Sequence, residues 1–75
     1  MKLKDLKRED KAKIVSIEGD LVFKKKILDM GLTKGTVIQV IKTAPLGDPV
    51  DIKVRGYQLS IRKRDGERIE VDING

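Results

Sequence analysis

The sequence contains no cysteine and no histidine. Disulfide staples are therefore excluded, as are the thiolate and imidazole ligands of common zinc sites. Tryptophan is absent, and phenylalanine and tyrosine occur once each. A barrel that grips single-stranded nucleic acid stacks bases on aromatic platforms, and here only Tyr57 could serve. No apolar run approaches the ~18 residues of a membrane span. Met1-Lys2-Leu3-Lys4-Asp5-Leu6 carries charge where a signal peptide has its apolar stretch. The expectation is a soluble, cytoplasmic protein.

What remains is 75 residues of aliphatic and charged character, with 17 basic and 12 acidic side chains and a formal charge of +5. A chain this short buries only about 60% of its unfolded surface, so its core must hold by packing alone. The basic excess suits an acidic partner, a nucleic acid or an anionic surface. Interspersed charges of both signs also serve plain solubility.

Leu3 and Leu6 form one turn or a short arm laid on the body, and Lys7-Arg8-Glu9-Asp10 is a charged turn. Lys11 to Ile17 is rich in β-branched residues and reads as the first strand. Asp20 is a helix N-cap. Phe23, Ile27 and Met30 then share a helix face, with Leu21 and Leu28 on a second line. Gly31 stands where a helix ends in a left-handed residue. Thr36 to Thr43 is apolar on both faces, so it is buried on two sides or pairs centrally. Residues 44–49, with two prolines and a glycine, break it. Val50 to Val54 and Tyr57 to Arg62 alternate around Arg55-Gly56, which turns Tyr57, Leu59 and Ile61 inward. Asp65-Gly66 reads as a hairpin turn. Ile69, Val71 and Ile73 supply the last strand. The fold class is mostly β: five short strands, mostly in meander order, with one short α-helix between the first and second. Closure into a small SH3-like or OB-like barrel would remove exposed edges.

Catalytic constellations are missing. Ser16 and Ser60 lie in strands, away from any strand-to-helix elbow, and the carboxylates are scattered. Gly31-Leu32-Thr33-Lys34-Gly35 follows a helix and precedes a strand, the wrong order for a phosphate loop. Asp48 and Asp51 offer too few oxygens for calcium and read as solvated. No metal site, cofactor or enzymatic activity is expected. Lys53, Arg55, Arg62, Lys63 and Arg64 form a basic cluster that reads as a solvated face, so no nucleic acid is expected. Lys24-Lys25-Lys26 is shorter than the basic tracts that recognise lipids.

The run from Leu28 to Thr36, Leu-Asp-Met-Gly-Leu-Thr-Lys-Gly-Thr, resembles the motif of the bacterial FeoA family of ferrous-iron transport accessory proteins. Four further segments match in order: Ile14 to Gly19, Ala44 to Val50, Val54 to Arg62 and Arg68 to Val71. Two departures stand out. Lys7-Arg8-Glu9-Asp10 lacks the glycine usual before the first strand, and Asp65-Gly66 replaces an acidic-Ala pair, favouring a tight hairpin. The resemblance implies one SH3-like domain over 1–75, related to the C-terminal domain of diphtheria-toxin-repressor-type iron regulators, with a family-level link to transition metal ions. It implies a cytoplasmic accessory protein that binds FeoB, the membrane iron transporter with a GTPase domain, and modulates its transport or assembly. Membrane contact would come only through that partner, and self-association would be weak at most. GTPase activation in trans, with Arg55 or Arg62 donated to the transition state, is an alternative. A small nucleic-acid-binding barrel is another. The expected partner-binding residues are Leu21, Leu28, Pro45, Leu46, Gly47, Asp48, Pro49 and Arg55. Met30, Gly31, Leu32, Gly35, Gly56 and Tyr57 are expected to be structural, with Met30 and Leu32 plugging the barrel end.

Overall fold

The computed structural model describes residues 1–73. The expected domain end at 75 lies outside them. A 3₁₀ turn, Leu3–Asp5, is followed by β1 (Lys11–Ile17), α1 (Leu21–Asp29), β2 (Val37–Thr43), β3 (Val50–Val54), β4 (Tyr57–Ile61), a short helical turn α2 (Lys63–Gly66) and β5 (Ile69–Asp72). The strands form one antiparallel sheet in the order β4-β3-β2-β1-β5.

Side-chain alternation aims one face of every strand at a shared core. Ala12, Ile14, Ile38, Val40, Val50, Ile52, Val54, Ile61, Ile69 and Val71 are all buried there. The arm contributes Leu3 and Leu6, the helix Phe23 and Ile27, and the loop after it Leu32. Each aliphatic side chain so buried contributes roughly 1.5–3 kcal/mol of transfer free energy. Irregularities at Ile14/Ser16 in β1 and Val40/Lys42 in β2 shift the register and add local bend. The second explains the two-sided pattern of β2. Ile41 is the extra residue at the shift, and the strand pairs centrally between β1 and β3, while Val37 on the far face stays exposed.

The start and end of α1 follow the sequence signals. The Phe23 N–H donates to Asp20 Oδ1 at 2.8 Å, and Gly31 takes a left-handed φ of +87°. The Arg55-Gly56 hairpin has φ of +46° and +90° at its two turn residues, as a two-residue primed turn requires.

Two expectations need correction. Asp65-Gly66 does not turn β4 into β5. The Asp65 and Gly66 N–H groups both donate to the Arg62 carbonyl, which makes α2, and β5 crosses back to pair with β1. Gly66 packs closely against the N-terminal arm. It has no positive φ, and a β-carbon on it would sit 3.2 Å from the Lys4 backbone nitrogen. The inward reading of Tyr57 also holds only in part. It shares the core-facing side with Ile61, but on an outer strand Tyr57 is 39% exposed. Ile73 lies just past β5 and is likewise partly exposed.

The arm is held to β5 at its other edge. The Val71 N–H donates to the Met1 carbonyl at 2.8 Å, and Lys2 bridges to Glu70. The terminal ammonium and Lys2 Nζ both pair with the Glu70 carboxylate, the latter at 3.1 Å. Those two donors, the ammonium first, hold the Glu70 carboxyl below the usual glutamate range.

Candidate functional site

Three features stand out on the surface, each produced by a local rule of the chain. The first is the outer line of α1. Its inner line, Phe23 and Ile27, packs on the core, with Met30 partly buried beside it. Helical spacing therefore turns Leu21, Val22 and Leu28 outward. Leu21 is 85% exposed and Leu28 52%. Leu28 also lines a shallow groove of about 330 Å³ against Val15 and Ile17 of β1, rimmed by Lys24 and Lys34. Val15 and Val22 escaped the sequence reading. Alternation from the buried Ala12 and Ile14 turns Val15 outward, and the register shift at Ile14/Ser16 then brings Ile17 beside Ile69.

The second feature is the loop of residues 44–49. The Gly47 N–H donates to the Ala44 carbonyl at 2.7 Å and the Ala44 N–H to the Pro49 carbonyl at 3.0 Å, which closes a compact turn. Two prolines add stiffness by fixing their own backbone. Leu46 at the tip is 94% exposed. Asp48 is not simply solvated. Its Oδ1 accepts from the Lys63 N–H at 3.0 Å, at the start of α2, and lies 3.9 Å from Arg62. The carboxylate anchors the loop to the element after β4, so Asp48 fixes where Leu46 points. Asp51 is engaged elsewhere, accepting from Ser60 Oγ at 2.6 Å, and the two aspartates have separate partners.

The third feature is the β3–β4 hairpin tip. Arg55 stands there exposed, and no carboxylate within 4 Å pairs with it among the described residues.

The residues expected to be structural are tied together. Leu32 is fully buried. Tyr57 Oη donates to the Met30 carbonyl at 2.7 Å, linking β4 to the end of α1. Thr36, the last residue of the motif run, is the buried polar residue of the core, and its Oγ1 accepts from the Thr33 N–H at 3.2 Å. Gly35 and Gly56 both take positive φ, with open space around them. Among the described residues, no group of three or more acidic, histidine or cysteine side chains is placed to hold a metal ion, and no helix is long and apolar enough to cross a membrane. The surface thus presents aliphatic side chains on rigid supports, which suits docking on another macromolecule at low entropic cost.

Comparison with known proteins follows the same lines. Residues 1–73 match the family model of the FeoA domain. A protein of Porphyromonas gingivalis, a fusion of Fe(2+) transport protein A with the Fe(2+) transporter FeoB, is 44% identical over 73 residues. That stretch is 97% of this chain and 9% of the fusion protein. The solved FeoA-like protein of Clostridium acetobutylicum superposes with a TM-score of 0.89 at 36% identity, covering 96% of this chain and 84% of that one. Two more distant likenesses show the fold alone. One is the zinc complex of Stenotrophomonas maltophilia FeoA, a prokaryotic SH3 domain protein (TM-score 0.82, 20% identity, 99% of this chain and 92% of that one). The other is the manganese regulator SloR (0.84, 14%, 96% and 34%). The fold is therefore shared with a manganese regulator.

Proposed function

The chain belongs to the FeoA domain family, and on that premise we propose that it is an accessory protein of ferrous-iron uptake that docks on the cytoplasmic side of a FeoB-type transporter. The observation that carries this reading is the Porphyromonas gingivalis relative, in which the matching segment and the transporter are one polypeptide. Segments joined in one chain in one organism commonly meet as separate chains in another. The exposed aliphatics support it: Leu46 on its anchored loop and Leu21, Val22 and Leu28 on α1 are the kind of side chain that loses water on docking. On this reading Leu21, Leu28, residues 45–49 and Arg55 form the contact, and the chain contributes no chemistry of its own.

Titration of the purified protein into the transporter's soluble GTPase domain, and into the full transporter in nanodiscs, tests the proposal with and without guanine nucleotides. Saturable binding in at least one state is expected. Absence of binding to both, in every nucleotide state, would sink it. Arg55 favours a second reading. It is a cation at a tight hairpin tip with no carboxylate partner among the described residues, a geometry from which an arginine can be donated to phosphoryl-transfer charge. A rise in GTP turnover that Arg55→Ala removes would support that role, and turnover unchanged by the protein would exclude it.

A further inference from the structure

The sheet has two outer strands, and they are treated differently. β5 is covered by the N-terminal arm through the Val71–Met1 backbone bond and the Lys2–Glu70 bridge. Among the described residues β4 pairs only with β3, over five residue pairs from Val50↔Ile61 to Val54↔Tyr57, with no shift in register. In a two-residue hairpin the residues flanking the turn, Val54 and Tyr57, exchange hydrogen bonds, and alternation then assigns Leu59 and Ile61 to the same ladder. The backbone N–H and C=O groups of Gln58 and Ser60 therefore point away from β3. No turn or loop backbone bond within the described residues uses them. Natural outer strands are blunted by proline, lysine, a bulge or a covering segment. Among the described residues β4 has none of these.

We propose that β4 accepts an added strand, an extended segment of a partner protein carrying acidic side chains at both ends of a short apolar–polar alternation. Charge decides the occupant. Arg55 stands at one end of the edge, Arg62 and Lys63 at the other, and Lys53 lies on the neighbouring strand. The carboxylates in the vicinity are already engaged: Asp48 by the Lys63 N–H and Arg62, Asp51 by Ser60, and Asp65 by Lys26. Among the described residues, Lys53, Arg55 and Lys63 have no carboxylate within 4 Å. A second copy pairing antiparallel through β4 would set Arg55 of one copy against Arg62 and Lys63 of the other, which like-charge repulsion disfavours. A nucleic acid would satisfy the cations but not the backbone groups of Gln58 and Ser60, and it would find only Tyr57 to stack on. The half-exposed Tyr57 and partly buried Leu59 offer the added strand a cross-strand apolar contact. Backbone bonds would supply affinity and alternate side chains specificity, as in other β-strand additions. The inference does not depend on the transporter's being the protein that supplies the strand.

The test uses an acetylated, amidated heptapeptide of alternating valine and threonine with glutamate at both ends. Hydrogen exchange of the full chain is read by NMR. At saturating peptide the Gln58 and Ser60 amides should slow by roughly tenfold or more, as edge amides do when paired. The same peptide with alternate amides N-methylated should have no effect. Neither should a lysine-ended version. Ser60→Pro removes an outward N–H while leaving the β3 ladder intact, and should abolish the protection. If that variant does not fold, the N-methylated peptide still decides the matter on the unaltered protein. Unchanged exchange at millimolar peptide overturns the proposal. Protection that grows with protein concentration in the absence of peptide assigns the edge to a second copy and overturns it. Protection by oligo-dT but not by the peptide overturns it as well.

Discussion

A β-carbon at Gly31 would land on the hydroxyl oxygen of Tyr57, the group that donates to the Met30 carbonyl. Two residues 26 positions apart in the sequence are thus mutually fitted: the glycine leaves the space that the tyrosine uses to tie β4 to the end of α1. Gly35 has a similar φ of +92° but open space around it. Gly31→Ala and Gly35→Ala should therefore share a left-handed strain of about 1–2 kcal/mol, and Gly31→Ala should cost more by the displacement of Tyr57. Urea denaturation of both variants, and of each combined with Tyr57→Phe, measures the difference. The Gly31/Tyr57 pair should show a coupling of about 0.5–3 kcal/mol and the Gly35/Tyr57 pair none. Equal coupling in the two pairs would mean the fit is not specific.

Glu9, in the charged turn before β1, has a φ of +76°. A glutamate sits there under left-handed strain. Its N–H donates to the Val40 carbonyl at 2.9 Å, so the turn cannot relax without releasing the start of the sheet. Glu9→Gly is expected to raise stability by about 1 kcal/mol, seen as a higher denaturant midpoint with an unchanged slope. A lower midpoint would show that the glutamate side chain contributes more than the strain costs.

Removing Asp48 should free the loop that carries Leu46. Asp48→Ala deletes the acceptor for the Lys63 N–H, a capping interaction of about 1 kcal/mol. Faster amide exchange at Lys63, and at Gly47 in the loop, would report the release. Asp51→Ala loses only the Ser60 contact and should leave the loop protected.

The arm should respond to acid. Glu70 is held below the usual glutamate range by the terminal ammonium and Lys2. A lowered carboxyl pKa contributes stability that is present above the ordinary carboxylate range and lost as pH falls through the lowered value. At the other extreme Lys2, raised above the ordinary lysine value chiefly by its hydrogen bond to Glu70, gives up its share as pH rises through that raised value. The Val71 amide, bonded to Met1, should therefore lose protection below the ordinary glutamate range sooner than the Ile14 amide, bonded to Thr36 inside the fold. Glu70→Gln should loosen the Val71 amide at neutral pH and remove the acid step.

Most of the architecture is legible because it rests on local rules. Asp20 and Gly31 mark the ends of the helix, Arg55-Gly56 marks a hairpin, and alternation marks the inner face of β3. What escapes is non-local. Asp65-Gly66 has the composition of a turn, but its glycine serves contact with Lys4, far away in the chain. The placement of Ile17 beside the buried Ile69 comes from a register shift set by pairing with β5. The exposure of Tyr57 follows from β4 being outermost, a fact of strand order. Among the expected contact residues, Leu21, Leu28 and Leu46 are exposed as read, while Asp48 proves to be an anchor whose role depends on a residue 15 positions on.

The central claim is docking on a FeoB-type transporter through the exposed aliphatic residues. NMR titration of the isotope-labelled protein with unlabelled full-length transporter in nanodiscs tests it most directly. The account predicts amide broadening centred on residues 21, 22 and 28 and on the loop of residues 44–49. It also predicts at least roughly tenfold weaker binding for Leu46→Asp, whose fold should be unchanged within about 0.5 kcal/mol because the side chain is exposed. Binding that leaves those amides unperturbed, or that Leu46→Asp and Leu28→Asp both leave at full strength, would contradict it.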